Sequence, residues 1–188
     1  MGLIKFILIS NEKLDTMIKK LITLLVLLLG FQSCQIAQNS ELFTIYLVRH
    51  SEKELASENE SDPPLTKCGM QRSESLSAFL DDVKLEAIYS TDYKRTINTA
   101  LPTANAKELQ IKKYNPRDLD GLSRLLLDAK KDALVVGHSN TTGVLAGLLI
   151  GEEIGEIDLN IYDRIYQVVV SEKNGRMHLL HSPFTCKD

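Results

Sequence analysis

Apolar and polar positions alternate along this chain in blocks whose periods identify the elements. Residues 42–48 are apolar and rich in strand formers, and the run stops at Arg49-His50. The stretch 51–62 (SEKELASENESD) is charged, free of aromatics and closed by Pro63-Pro64, so a solvated loop is expected. Leu65-Thr66-Lys67-Cys68-Gly69 reads as the start of a helix that continues over 70–80, with Met70, Leu76 and Leu80 on its apolar side. A short apolar strand is expected at 85–89. Ser90, Thr91 and Asp92 then offer capping side chains for a helix through Ala106. Residues 109–114 read as a weak strand, and Asn115-Pro116 as a cap with proline at the first helical position. Leu119, Leu122, Leu125, Leu126 and Ala129 recur at helical spacing. A buried strand at 133–136, an apolar helix at 141–150 and two closing strands at 165–170 and 177–180 complete the series, the last two joined by a Lys173-Asn174-Gly175 turn. Strands alternating with helices imply an α/β three-layer sandwich with a mostly parallel central sheet, and the final hairpin adds an antiparallel edge.

The N-terminal pattern is different. Lys19-Lys20 precede an apolar run at 21–31, followed by Gln32-Ser33-Cys34. A basic start, a short hydrophobic stretch and a small residue before cysteine read as a secretory signal. The run is too short to span a bilayer, which takes about 20 apolar residues. Phe31-Gln32-Ser33-Cys34 resembles a bacterial lipobox, whose cysteine is lipidated and becomes the mature N-terminus, although Phe31 and Gln32 replace its usual aliphatic and small residues. The plainer alternative is a cleaved signal without lipid, or an N-terminal anchor. Residues 1–16 precede the pattern, so Met17 reads as the functional start, although the apolar 3–9 could instead lengthen the signal. The expected organisation is a signal peptide at 1–33, a polar tether at 34–41 and one domain at 42–188. The expected location is a bacterial periplasm or cell surface, with attachment to the membrane through Cys34.

Composition bounds the function. The chain has 188 residues, 44% of them hydrophobic and 25% charged, as in an ordinary globular domain that needs no metal to hold its core. Its net charge is −3, and removal of four lysines and two acids with residues 1–33 makes it −5, against a nucleic-acid partner. Export would permit a disulfide between Cys68 and Cys186. Two cysteines do not establish one, and their plain reading is two separate thiols. No CxxC or His/Cys cluster suggests zinc, so no metal is expected.

Chemistry concentrates where strands end. Arg49 and His50 close the first strand, Arg95 opens the helix after the second, and His138 follows the strand at 133–136. Ligands of open α/β sheets bind at the carboxyl ends of the strands. Arginine forks match phosphate oxygens, and a neutral, oriented histidine is a nucleophile toward phosphorus. These residues suit phosphoryl transfer, which needs positioning and positive charge around the equatorial oxygens.

The motifs resemble those of the histidine phosphatase (phosphoglycerate mutase-like) superfamily. Leu47-Val48-Arg49-His50-Ser51-Glu52 is similar to its Arg-His-Gly-Glu signature, with Ser51 in place of glycine. Pro64-Leu65-Thr66 with Gly69 and Gln71, Tyr89-Ser90-Thr91 through Lys94-Arg95-Thr96 and Thr99-Ala100, and Val135 through Asn140 resemble its next three motifs, in family order. The resemblance implies that His50 attacks phosphorus and becomes phosphorylated. Arg49, Arg95 and His138 would hold the phosphoryl group, water would release phosphate, and no cofactor would be needed. It also implies a carboxyl general acid after the second arginine. Asp118 is the first candidate and Asp120 the second, unless both serve only the helix dipole. Short phosphohistidine phosphatases of this superfamily look as though they lack that acid. The expected substrate is a phosphorylated small molecule or a phosphoprotein.

Other patterns compete. Gly137-His138-Ser139-Asn140-Thr141 mimics a nucleophile elbow, with Asp158 or Asp163 and His178 or His181 downstream, but Thr141 stands where that turn wants glycine. A lipoprotein that binds phosphorylated ligands without turnover is the non-enzymatic alternative. Gly143, Gly147 and Gly151 read as close helix–sheet packing, and His178 and His181 as structural or surface residues.

Overall fold

The computed structural model describes residues 16–24, 42–171 and 174–186. Its contacts divide the chain into units 1–39 and 40–188. In the first, residues 16–24 are helical and exposed; among the described residues no helix is long and apolar enough to cross a membrane. The apolar run at 21–31 is described only to residue 24, and Cys34 lies outside the described residues.

The second unit contains a six-stranded sheet. Its strands are β1 (Phe43–Arg49), β2 (Ala87–Thr91), β3 (Ile111–Tyr114), β4 (Ala133–Gly137), β5 (Arg164–Val170) and β6 (Gly175–His181). The order is β3-β2-β4-β1-β5-β6. The first four are mutually parallel; β5 runs antiparallel to β1 and β6 antiparallel to β5. Four helices cover the sheet: α1 (Lys67–Phe79), α2 (Lys94–Ala106), α3 (Leu119–Ala129) and α4 (Thr142–Ile150). Alternate residues of one strand serve the two faces. Ile45 and Leu47 of β1 join Leu122 and Leu126 of α3 and Leu145 and Leu149 of α4. Tyr46 and Val48 face the other way, with Leu76 of α1 and Ala100 and Ala104 of α2. Both faces of the central strands are therefore apolar, which explains why 42–48 and 133–136 read as continuous runs.

Several local expectations are corrected. Ser90 and Thr91 belong to β2, and the cap of α2 is Tyr93, which makes no side-chain capping bond. Asn115-Pro116 does not cap α3: Asp118 does, accepting from the Gly121 N–H at 2.9 Å, while Asn115 Oδ1 accepts from the Arg117 N–H. Cys68 and Cys186 form a disulfide, with Cα atoms 5.7 Å apart, because the chain after β6 folds back onto α1. The glycine spacing in α4 serves a neighbour other than the sheet. A Cβ at Gly143 would meet the Gly155 carbonyl and one at Gly147 the Glu152 carbonyl, so these glycines admit the segment after the helix. Gly151, at φ 74°, ends α4 in the left-handed region.

Candidate active site

Parallel pairing sets the ends of β1, β2 and β4 side by side. Arg49 lies opposite Gly137, and the His50 N–H continues the ladder by donating to the Gly137 carbonyl at 2.9 Å. At this edge lies a cavity of about 550 Å3, lined by Arg49, His50, Arg95 and His138. The fold thus brings together four of the five residues singled out from sequence. The fifth, Asp118, is exposed, is occupied in capping α3 and does not line the cavity; Pro116 and Arg117 do. Asp120 is exposed and also outside.

His50 is almost fully buried, and its Nδ1 lies 2.7 Å from the Ser51 carbonyl. A carbonyl only accepts, so Nδ1 carries the proton and Nε2 keeps its lone pair. Burial, with further help from the charges of Arg49, His138 and Arg95, pushes the His50 pKa down to about 3, against the pull of that carbonyl. The ring is therefore neutral at physiological pH. The carbonyl is itself fixed, since the Ser51 N–H donates to Thr99 Oγ1 at 2.9 Å and Ser51 Oγ meets Ser73 Oγ at 3.1 Å. Ser51, where the signature it resembles has glycine, thus ties the loop to α1 and α2.

Arg49 is held by the segment between α4 and β5. Its Nη1 donates to the carbonyls of Asp158 (3.2 Å), Leu159 (2.7 Å) and Ile161 (2.9 Å). Its guanidinium lies 4.0 Å from the centre of the Tyr162 ring. Arg95 lies 4.4 Å from the Tyr93 ring, and its Nη1 reaches the Ser61 carbonyl and, at 3.7 Å, the Asp62 carboxylate. The Nε of each arginine is buried without a protein partner among the described residues. Burial lowers both pKa values from the usual arginine range. Each guanidinium thus keeps a buried Nε–H for which no protein acceptor is present among the described residues, a donor suited to an oxyanion.

His138 shows a second tautomer lock. Its Nε2 lies 2.9 Å from Thr91 Oγ1, which donates to Thr96 Oγ1, which in turn donates to the carbonyls of Thr91 and Tyr93, all at 2.9 Å. With the Thr91 proton directed to Thr96, Thr91 must accept from His138, so Nε2 carries the ring proton. Burial, then the charges of Arg95, Arg49 and Lys53, hold the His138 pKa down at about 4. A bound phosphoryl dianion opposes those charges and favours a protonated His138.

A chain of contacts behind the site involves Glu52. Arg72 donates to both Glu52 oxygens through Nε (2.9 and 3.0 Å) and to Oε1 through Nη2 (2.6 Å), while its Nη1 donates to the Phe184 carbonyl. The disulfide thus pins the chain end that supports the partner of Glu52.

Sequence reading did not find Tyr162, Tyr93, Thr91 or Arg72. Tyr162 is far along the chain from Arg49, and Thr91 looked like a cap. The loop at 51–62 and the segment at 151–162 both line the cavity, through Lys53 and Leu55 and through Leu159, Asn160 and Tyr162. Neither His178 nor His181 does; His181 is exposed and paired with Asp163, which leaves Ser139 without the histidine that a hydrolase triad requires.

Residues 45–116 match the family model of the histidine phosphatase superfamily (branch 1). Among solved structures, the protein histidine phosphatase SixA complexed with tungstate superposes with a TM-score of 0.64 at 20% identity, over 75% of this chain and 97% of that one. The alpha-ribazole phosphatase from Shigella flexneri gives 0.60 at 16% identity, over 74% and 96%. Phosphoglycerate mutase from Bacillus anthracis gives 0.53 at 16%, over 76% and 94%. No curated protein matches by sequence. The solved structures share this chain's fold, and the likeness to the superfamily's model runs over residues 45–116.

Proposed function

We propose that this chain of the histidine phosphatase superfamily is a hydrolase acting on phosphoramidates, with phosphohistidine as the leading substrate type, through a phosphohistidine formed on its own His50. One observation carries this reading. The cavity holds a neutral histidine with a free Nε2, two arginines and a second histidine, and no carboxylate lines it among the described residues. In the first step Nε2 of His50 attacks phosphorus and the bond from phosphorus to the substrate nitrogen breaks. The leaving nitrogen takes its proton from solvent, so the missing carboxyl acid matters less than it would for an alkoxide. The Ser51 carbonyl keeps Nδ1 protonated, so the phosphorylated ring is cationic and departs as a neutral imidazole. In the second step water attacks phosphorus, the bond to His50 breaks, phosphate leaves and water's surplus proton passes to solvent. Arg49, Arg95 and His138 meet the charge on the phosphoryl oxygens in both steps.

The test compares a phosphohistidine peptide with glycerol 2-phosphate, in EDTA, for the purified protein and its His50→Ala variant. The expected preference for the peptide in kcat/KM is about 100-fold or more, the usual worth of a general acid to the alkyl ester, with all turnover lost in the variant. Equal rates on the two substrates would overturn the phosphoramidate assignment. Activity that survives in the variant would overturn the His50 mechanism, and phosphate binding without turnover of any substrate would favour the ligand-binding alternative.

The same reading places the protein outside the reducing cytosol, tethered through a lipid on Cys34. The signal pattern at 17–34 supports it, as does the Cys68–Cys186 disulfide. Metabolic labelling with radioactive palmitate should mark the parent and not Cys34→Ala; an unlabelled parent would exclude lipidation.

A further inference from the structure

Beyond the four residues of the phosphoryl pocket, two more cations line the same cavity, Lys53 and Arg117. Neither forms an ion pair or a side-chain hydrogen bond with any described residue, in a chain whose acids outnumber its lysines and arginines 25 to 22. Their backbones are held. Lys53 pairs with Leu65 in an antiparallel bridge, flanked by bonds from the Glu54 N–H to the Pro64 carbonyl and from the Thr66 N–H to the Glu52 carbonyl, each at 2.9 Å. Arg117 follows Pro116, whose φ is fixed, and its N–H donates to Asn115 Oδ1 at 3.0 Å. Lys53 is half-buried and near enough to His138 to disfavour its protonation. Concentrating unpaired positive charge around an already cationic pocket is unfavourable in the empty protein, and a ligand with matching charge relieves it. One phosphoryl group is matched by Arg49, Arg95 and His138, which leaves Lys53 and Arg117 for something else.

We propose that Lys53 and Arg117 form a second anion subsite, so that the preferred substrate carries a carboxylate or phosphate on its leaving group in addition to the phosphoryl group transferred. This rests on the hydrolase reading for its biological meaning, but the subsite is a property of binding and is tested without turnover. The two side chains come from segments preceding α1 and α3, so the cavity accepts the reacting group at its base and reads the leaving group from two sides.

The experiment measures, by calorimetry on the full chain, the affinity for methylphosphonate and for phosphonoacetate, 3-phosphonopropionate and 4-phosphonobutyrate, a series that spans the unknown spacing. At least one of the three carboxylate-bearing probes should bind about tenfold tighter than methylphosphonate, a gain that two partly exposed charge pairs supply. The advantage should shrink as salt rises and vanish in the Lys53→Gln/Arg117→Gln variant, whose affinity for methylphosphonate changes by a smaller factor. Equal affinity for all four probes in the parent, or an advantage that persists in the variant, would overturn the subsite. A turnover arm separates it from the hydrolase reading: N-acetyl-phosphohistidine should be hydrolysed faster than its methylamide. Failure to hydrolyse either, with the binding advantage intact, would sink the phosphohistidine reading and leave the subsite standing. Comparing N-acetyl-phosphohistidine with a glutamate-flanked phosphohistidine peptide tells a small carboxylate-bearing substrate from an acidic protein one.

Discussion

Lowering the pH should destabilise this protein through its own nucleophile. His50 is 4% exposed, and its pKa falls from an ordinary 6.5 to about 3 on folding, chiefly through burial. The unfolded chain therefore binds the proton first. Stability from this group is intact above about pH 6.5, is lost steadily as pH falls, and stops falling below about 3. At pH 5 the unfolded histidine is almost fully charged while the folded one is still neutral. The penalty there depends on the unfolded value alone: about 1.5 pH units at 1.36 kcal/mol each, or ~2 kcal/mol. Against a typical stability of about 5–15 kcal/mol, that is a visible fraction. The assay is urea unfolding at pH 7 and pH 5 for the parent and His50→Asn, whose amide can still donate to the Ser51 carbonyl but does not titrate. Between the two pH values the parent should lose ~2 kcal/mol more than the variant, a difference of about 1 M in the urea midpoint. His138, also depressed, titrates in both proteins and cancels. Equal losses would mean that His50 is not held neutral by burial, and the poised-nucleophile argument would fail with it.

Other expectations follow from the same contacts. Thr91→Val removes the acceptor for His138 Nε2 and should lower kcat about 10–100-fold, as loss of an orienting partner typically does; Thr91→Ser should restore it, and an unchanged kcat would remove the tautomer lock from the mechanism. Asp118→Ala should cost about 1 kcal/mol of stability through the lost cap while leaving phosphohistidine turnover within about twofold. A collapse of kcat with intact folding would instead make Asp118 the general acid. Replacing both Cys68 and Cys186 by serine opens a loop with a sequence separation of 118 and should cost about 2–4 kcal/mol, read as a drop in melting temperature; no drop would mean that the bridge does not constrain the unfolded chain.

Much of the site was legible because its chemistry sits in short, local motifs. Arg49-His50, Arg95 and His138 each stand at a strand end, and once the blocks are read as alternating strands and helices, parallel pairing must carry those ends to one edge. Continuous apolar runs in β1 and β4, which are buried on both faces, made the layered fold equally legible. Local signals misled where one residue type can serve two purposes. Thr91 has a capping side chain, yet it lies in β2 and orients His138. Asp118 has the right type and position for an acid, yet it caps α3 and stays outside the cavity. Asn115-Pro116 has the form of a cap and makes a turn instead.

What the sequence by itself determined is therefore the order of strands and helices along the chain, the two-faced apolar core and the identity of the four arginines and histidines that meet in the cavity, since each follows from periodicity or from residues adjacent in the chain. Only the tertiary structure decided the rest: Tyr162 and the 158–161 carbonyls on Arg49, the Cys68–Cys186 bridge, and Arg117 meeting Lys53 around one cavity. These contacts join residues about 60 to 120 positions apart. Their formation depends on how loops close over a finished sheet, and no local period or propensity encodes that.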